Sequence, residues 1–336
     1  MCEIYVAKSA MLTEPLTPEQ IDGMPMYEWD VATVGDMAPP FSFTVTEASI
    51  ARYCQAVRND NPLYLDPDAA RRGPFGGIIA PPTFIFMCAP ARRNEVMHAR
   101  GYASPEEKAD RATPYAKAEV FFQRPIRPGD EIVSVIRLDD KYERRGNQFM
   151  TWRVSAHTAR GESVADYTYT IIWRQAPARE STRSSGGDGK AQSGAVDAPR
   201  GASPLATLTK VETQEAIDQY GELTRVRPRL SHHSLHSDVE FARRTIFGGT
   251  VNMGVATAAY CSEAIERTYG PGALLRPGAR LEYKGIRPIR AGYQITVTGS
   301  GRDAADHRRE CELSVHNQDG ILCGVATATI VVERGT

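Results

Sequence analysis

The sequence predicts an α+β fold built twice in one chain. Three observations carry that expectation. Matched motifs recur in the same order in both halves. A stretch almost without large apolar residues separates them. Within each half, one apolar helix precedes runs of strand-like alternation.

The first match is helical. Thr46-Glu47-Ala48-Ser49-Ile50 leads to Tyr53, and Thr213-Gln214-Glu215-Ala216-Ile217 leads to Tyr220. Each Thr is placed to cap a helix, and each Ile and Tyr share a helical face. Next, Leu63-Tyr64-Leu65-Asp66 matches Leu235-His236-Ser237-Asp238. Ala70-Arg71-Arg72 with Phe75-Gly76-Gly77 matches Ala242-Arg243-Arg244 with Phe247-Gly248-Gly249, at a constant offset of 172. Arg124-Pro125-Ile126-Arg127 returns as Arg287-Pro288-Ile289-Arg290, and Ser155-Ala156-His157 as Ser314-Val315-His316. Such an ordered series marks an internal duplication.

Between the copies, Gln175 to about Thr207 is dominated by Ala, Gly, Ser, Pro and charge. Such a segment cannot bury enough to offset its ordering entropy, so it reads as a flexible linker. The expected units are therefore 1–174, a linker at 175–207, and 208–336.

Within each unit, Asp66-Pro67 and Asp238 are placed as helix caps. Pro82 then starts a longer helix through Thr83–Ala89, apolar all round and so buried on most sides. Its second copy runs from Asn252 to about Thr268. Four strands follow in the second half, roughly Ala279–Tyr283, Tyr293–Gly299, Arg309–His316 and Ile321–Val332, with a hairpin turn at Asn317-Gln318-Asp319-Gly320.

Composition narrows the function. The 336 residues hold 40 basic and 41 acidic side chains, a net charge of −1. That balance excludes a general basic footprint for nucleic acid or an anionic membrane. No run approaches 18 apolar residues, which argues against a membrane span. The start Met1-Cys2-Glu3-Ile4-Tyr5 has no secretory signature, and six scattered cysteines without a C-x-x-C pair suit a reducing compartment, so a cytoplasmic location is expected. The Gly-Gly pairs are turns, not phosphate loops.

Asn61-Pro62-Leu63-Tyr64-Leu65-Asp66-Pro67, with Ala70-Arg71, Phe75-Gly76-Gly77 and the Arg-Pro-Ile-Arg strand starts, resembles the MaoC-like hydratase/dehydratase family, the two-hotdog acyl-thioester dehydratases. The resemblance implies a double hotdog, in which two antiparallel sheets, each wrapped around a long helix, fuse into a pseudo-dimer. It also implies an acyl thioester substrate on coenzyme A or a carrier, water added or removed by acid–base catalysis, and no cofactor.

The family motif Gly-Asp-x-Asn-Pro-x-His places Asn59 at the Asp position and Tyr64 at the His position of the first half. An amide does not titrate, and an unperturbed Tyr has a pKa of about 10. At the helix start, where the family uses a Gly N–H to hold the thioester oxygen, stands Pro82, which has none. The second half has His236 at the His position and Gly254 at the helix start, where an N–H and the helix dipole suit an enolate oxygen. Its Asp position is Ser231, followed by His232 and His233. One of these, or a group from the first half, is expected to replace the carboxylate. The site residues are thus His236, Ser231 and His232 for catalysis, the Gly254 N–H for the oxyanion, and Tyr64 and Asn252 for substrate contact. Three histidines within five residues raise a metal site, but the adjacent His232-His233 pair and the lack of Cys argue for none.

The leading reading is a hydratase/dehydratase. Double-bond isomerisation or cyclisation of the same substrates, and a non-catalytic binding or structural subunit, are the alternatives. No nucleic-acid or membrane partner is expected, and a homodimer is left open.

Overall fold

The computed structural model describes residues 16–176, 201–223 and 233–332. Among the described residues, eleven strands form one sheet: β1 Phe41–Thr44, β2 Tyr115–Phe122, β3 Glu131–Arg144, β4 Asn147–Thr158, β5 Ser163–Arg174, β6 Ser203–Pro204, β7 Leu208–Val211, β8 Ala279–Gly285, β9 Gln294–Ala304, β10 Arg308–His316 and β11 Leu322–Val331. The order is β1-β3-β4-β5-β2-β8-β11-β10-β9-β6, with β7 also on β9.

Period-two patterning builds the long strands. In β4 the alternate residues Met150, Trp152, Val154, Ala156 and Thr158 are buried, and in β10 the buried set is Cys311, Leu313 and Val315. The expected hairpin turn is present: Asn317 closes it by accepting at its side-chain oxygen from the Asp319 and Ile321 N–H groups.

The two halves join through β2 and β8. These pair antiparallel from Lys117 opposite Lys284 to Phe122 opposite Ala279, so one sheet runs through the molecule. The halves also meet through the helices Glu47–Val57 and Gln214–Leu223, whose matched residues Tyr53 and Tyr220 touch at 6.0 Å between ring centroids. Thr46 caps the first of these helices, and Asp66 and Asp238 cap Pro67–Arg72 and Val239–Arg244. The turns after the latter two place Gly76 and Gly248 at φ +67° and +63°, a region that favours glycine.

The central helices differ between the halves. The second is a continuous helix, Gly254–Tyr269, buried from Val255 to Glu266 against β8, β2 and β9. The first-half segment was expected to match it and does not. It is a 3₁₀ turn at Pro82–Phe84 and a single helical turn at Ile85–Cys88, followed by a separate helix at Arg93–Ala99. Pro90 supplies the reason. Proline disfavours helical backbone at the preceding residue, and Ala89 accordingly leaves the helix with ψ 64°. The apolar run is buried as expected, but in a broken element.

Of the segment read as linker, residues 177–200 lie outside the described residues. Near its end, Ser203–Pro204 pair with β9, and Leu205 is buried. Five cysteines, Cys54, Cys88, Cys261, Cys311 and Cys323, are free and buried.

Candidate active site

A cavity of about 590 Å³ opens between the halves, within the usual range for small-molecule sites. Its second-half wall includes His236, Asn252 and Gly254, and its first-half wall includes Arg93, His98 and Tyr115. The structure therefore brings together three of the sequence-predicted site residues. Ser231 and His232 lie outside the described residues.

His236 stands on the loop before the helix Val239–Arg244. Its Nδ1 lies 2.7 Å from the Val251 carbonyl oxygen. A carbonyl can only accept, so in neutral His236 the proton sits on Nδ1 and the basic lone pair on Nε2. The neighbouring His233 is held differently, with its Nδ1 3.2 Å from Asp238 Oδ2. Asp238 also accepts from the Phe241 N–H, and that backbone bond is the largest influence lowering its pKa. His233 thus belongs to the cap of the following helix.

Gly254 begins the 16-residue central helix. The first N–H groups of a helix have no intrahelical acceptor, and Met253 at the N-cap provides no side-chain bond to them. A glycine is required here by packing: a Cβ on Gly254 would fall 2.3 Å from the Tyr115 ring. Tyr115 is fixed in turn. Its hydroxyl donates to the Tyr283 carbonyl at 2.8 Å, and its ring stacks on Tyr283. Desolvation pushes its pKa well above the ordinary tyrosine value, so it remains a neutral donor.

Asn252 is anchored at both ends. Its backbone N–H donates to the Ile289 carbonyl, and its side-chain amide donates to Thr257 Oγ1 at 2.9 Å and Glu212 Oε2 at 3.4 Å. Glu212 is buried, accepts from the Tyr260 hydroxyl, and lies 3.7 Å from the Arg58 guanidinium of the first half. Burial raises the Glu212 pKa in spite of that guanidinium.

Tyr64, expected to contact substrate, does not line this cavity. Its side chain is fully buried, and its hydroxyl donates to Glu266 Oε1 at 2.6 Å. This is the same place on the duplicated plan as His236, but the partner helix of the other half has closed onto it. Beside it is a cleft of about 470 Å³ lined by Asn59, Asp60, Asn61, Pro62, Glu263, Glu266 and Arg267. Burial pushes the Glu266 carboxyl up to about 7.

Sequence reasoning missed the first-half wall. Arg93 reaches Thr113 Oγ1 and lies over the Tyr169 ring. His98 Nε2 sits between the two oxygens of Glu107, at 3.0 and 3.2 Å. Glu107 also accepts from the Ser104 N–H and hydroxyl, both at 2.8 Å. Burial opposes its ionisation, but the bond and charge of His98 and the Ser104 bonds hold its pKa below the ordinary value. The spacing Ser104-Pro105-Glu106-Glu107 is a capping-box signature and was the available signal for this turn.

Comparison with known proteins agrees with the architecture. Residues 32–167 match the model of the FAS1-like dehydratase domain region. That match falls on the half whose motif lacks both the Asp and the His. A UPF0336 protein of Saccharopolyspora erythraea is 29% identical over 147 residues, covering 43% of this chain and 91% of that one. Among solved structures, a MaoC-like dehydratase aligns with a TM-score of 0.69 at 17% identity, over 89% of this chain and 98% of its own. A Mycobacterium tuberculosis protein described as having a double hotdog fold aligns at 0.61 and 13% identity, over 91% and 98%. The chain is a double-hotdog protein, and the resemblance to MaoC-like dehydratases read from its motifs is borne out.

Proposed function

We propose that this protein is a hydratase/dehydratase acting on an acyl thioester, with one working site at the His236 cavity. The observation that supports this most is the convergence of His236 and the Gly254 helix start on one cavity, with no equivalent convergence at Tyr64. In this reading the thioester carbonyl lies at the Gly254 N–H, where the helix dipole favours the enolate oxygen. That makes the α-proton acidic enough for His236 Nε2 to remove. The carbonyl of Val251 holds the ring in the required tautomer. The break at Pro90 leaves space along the first-half wall for the acyl chain. The residues do this work without a metal or redox group.

The test is turnover of a panel of 2-enoyl and 3-hydroxyacyl thioesters on coenzyme A and on a carrier arm. His236→Ala should lower kcat/KM by about 10²–10⁴, the usual cost of removing a positioned base. Tyr64→Phe should retain most activity. An unimpaired His236→Ala enzyme would refute the assignment. Activity confined to double-bond migration would favour an isomerase. Binding without turnover by the wild type would favour the non-catalytic reading.

A further inference from the structure

Removal of water from a 3-hydroxyacyl thioester needs two proton transfers. A base takes the α-proton, and an acid protonates the departing hydroxyl, because hydroxide is a poor leaving group. Among the described residues the second-half motif offers one such group, His236; His232 lies outside them. The position of its usual carboxylate is Ser231, whose hydroxyl is too weak an acid to serve.

Among the described residues, the remaining titratable groups around the cavity are mostly committed elsewhere. His233 belongs to the Asp238 cap. Glu106 accepts from the Thr113 N–H and hydroxyl. Glu95 pairs with Arg92. Arg93 donates to Thr113 Oγ1 and lies over the Tyr169 ring, and Arg287 donates to the Leu322 carbonyl. His98 differs. It lines the same cavity from the opposite half, and its side chain is only 8% exposed. Its ring is oriented by a carboxylate that is itself held by two hydrogen bonds from Ser104. A histidine whose one nitrogen is bonded to a buried carboxylate is a recurrent arrangement for proton transfer at the other nitrogen.

We propose that His98, oriented by Glu107, is the second proton-transfer residue of this cavity and protonates the leaving hydroxyl. The inference rests on the dehydratase reading above. In the dehydration direction the α C–H bond breaks and its proton goes to His236 Nε2. The electron pair forms the Cα=Cβ double bond, and the Cβ–O bond breaks. The departing oxygen takes the proton from His98 Nδ1 and leaves as water. His236 ends protonated and His98 neutral, and exchange with solvent restores both. Throughout, His98 Nε2–H stays on Glu107, so Glu107 is a positioning residue. Each half thus contributes one imidazole to a single site.

A substrate whose leaving group needs no proton tests this. On a 3-hydroxyacyl thioester, His98→Gln should lower kcat by about 10²–10³ with KM within about threefold. On the matching 3-acetoxyacyl thioester, which expels acetate, His98→Gln should come within about tenfold of the wild type. His236→Ala should remain slow on both. Glu107→Gln retains a side-chain oxygen for Ser104 and should show a weaker form of the same substrate dependence; it serves if His98→Gln does not fold. Equal slowing of the His98 variant on both substrates would mean a structural role and overturn the proposal. So would unchanged turnover of the hydroxy substrate. A wild type inactive on both would instead remove the dehydratase reading and this inference with it.

Discussion

The two copies of the motif loop face opposite fates. In each, the loop of one half looks toward the central helix of the other. His236 looks toward the broken first-half helix, and a large cavity remains between them, lined by residues 91–95 and His98. Tyr64 looks toward the unbroken helix Gly254–Tyr269, and Glu266 reaches its hydroxyl. With the offset of 172, Glu266 corresponds to Asn94, just past the break at Pro90. One helix interruption therefore leaves one site open, and one intact helix fills the other. Loss of the titrating residues in the first half and closure around Tyr64 belong together. A buried tyrosine hydroxyl with a carboxyl partner is well satisfied, and Tyr64 does not line the neighbouring cleft.

The largest test of this comparison separates the halves. The second half alone would expose the β8 edge that now pairs with β2, and the Tyr220 face that now meets Tyr53. An open, partly apolar strand edge recruits another chain. Residues 208–336 expressed alone should run as a self-paired dimer or aggregate in size-exclusion chromatography with light scattering. A well-folded monomer would show that the halves are independent and that the broken and unbroken helices do not depend on each other.

Next in size is the pH response at Glu266. Its folded pKa of about 7 lies above its ordinary value of 4.5, because burial disfavours the charge. The folded state holds this proton more tightly. The associated stability is therefore full below about pH 4.5 and is lost as pH rises through about 7. The loss is on the order of 3 kcal/mol, since one pKa unit is about 1.4 kcal/mol. Glu266→Gln keeps an oxygen for the Tyr64 hydroxyl and the Gly272 N–H, both of which bond Oε1. Urea unfolding should show the variant gaining on the wild type between pH 4.5 and 7, with a plateau above. Carboxylates held low, such as Glu107 and Asp238, act in the opposite sense at lower pH and cancel in the difference. A pH-independent difference would mean that Glu266 does not titrate in this range.

Much of this architecture is legible in the residues. The helix caps at Thr46, Asp66 and Asp238 need only a local hydrogen bond, so local sequence specifies them. Alternation reveals β8 to β11 because one face of each is buried. The broken helix was hidden by composition: Thr83–Ala89 is apolar at every position after the first, so it carries no period to reveal where the helix ends. Pro90 was the signal, and the local bias before proline decided the outcome. The His236 loop and the Gly254 helix start were legible from the motif. Their meeting with His98 and Glu107 was not, because it depends on the packing of one half against the other. Nor does sequence alone show that Gly254 is required by the Tyr115 ring, which comes from the first half.

Gly254→Ala examines that contact. The added methyl would overlap the Tyr115 ring. Overpacking of this kind typically costs about 1–3 kcal/mol. The variant should lose stability in denaturant unfolding and lose activity as the helix start is displaced. Tyr115→Leu in the same chain should recover part of the stability, giving a non-additive pair. Strict additivity would mean that the ring does not press on the helix start.

The smallest expected effect compares the two copies of the capped helix. At Thr46 the cap is reciprocal. Thr46 Oγ1 accepts from the Ser49 N–H at 3.0 Å, and Ser49 Oγ accepts from the Thr46 N–H at 3.0 Å. At Thr213 the side chain accepts from the Ala216 N–H at 3.1 Å, but Ala216 has no polar group to return the bond. Removing a Thr cap typically costs about 1 kcal/mol. Thr46→Ala should therefore cost somewhat more than Thr213→Ala, because the reciprocal geometry at Ser49 is lost with it. Ser49→Ala makes the first copy resemble the second, and in that background Thr46→Ala and Thr213→Ala should cost the same. Urea midpoints at constant m-value measure the difference. Equal costs without the Ser49 change would mean that the return bond adds nothing and that the duplicated helices are energetically alike at their caps.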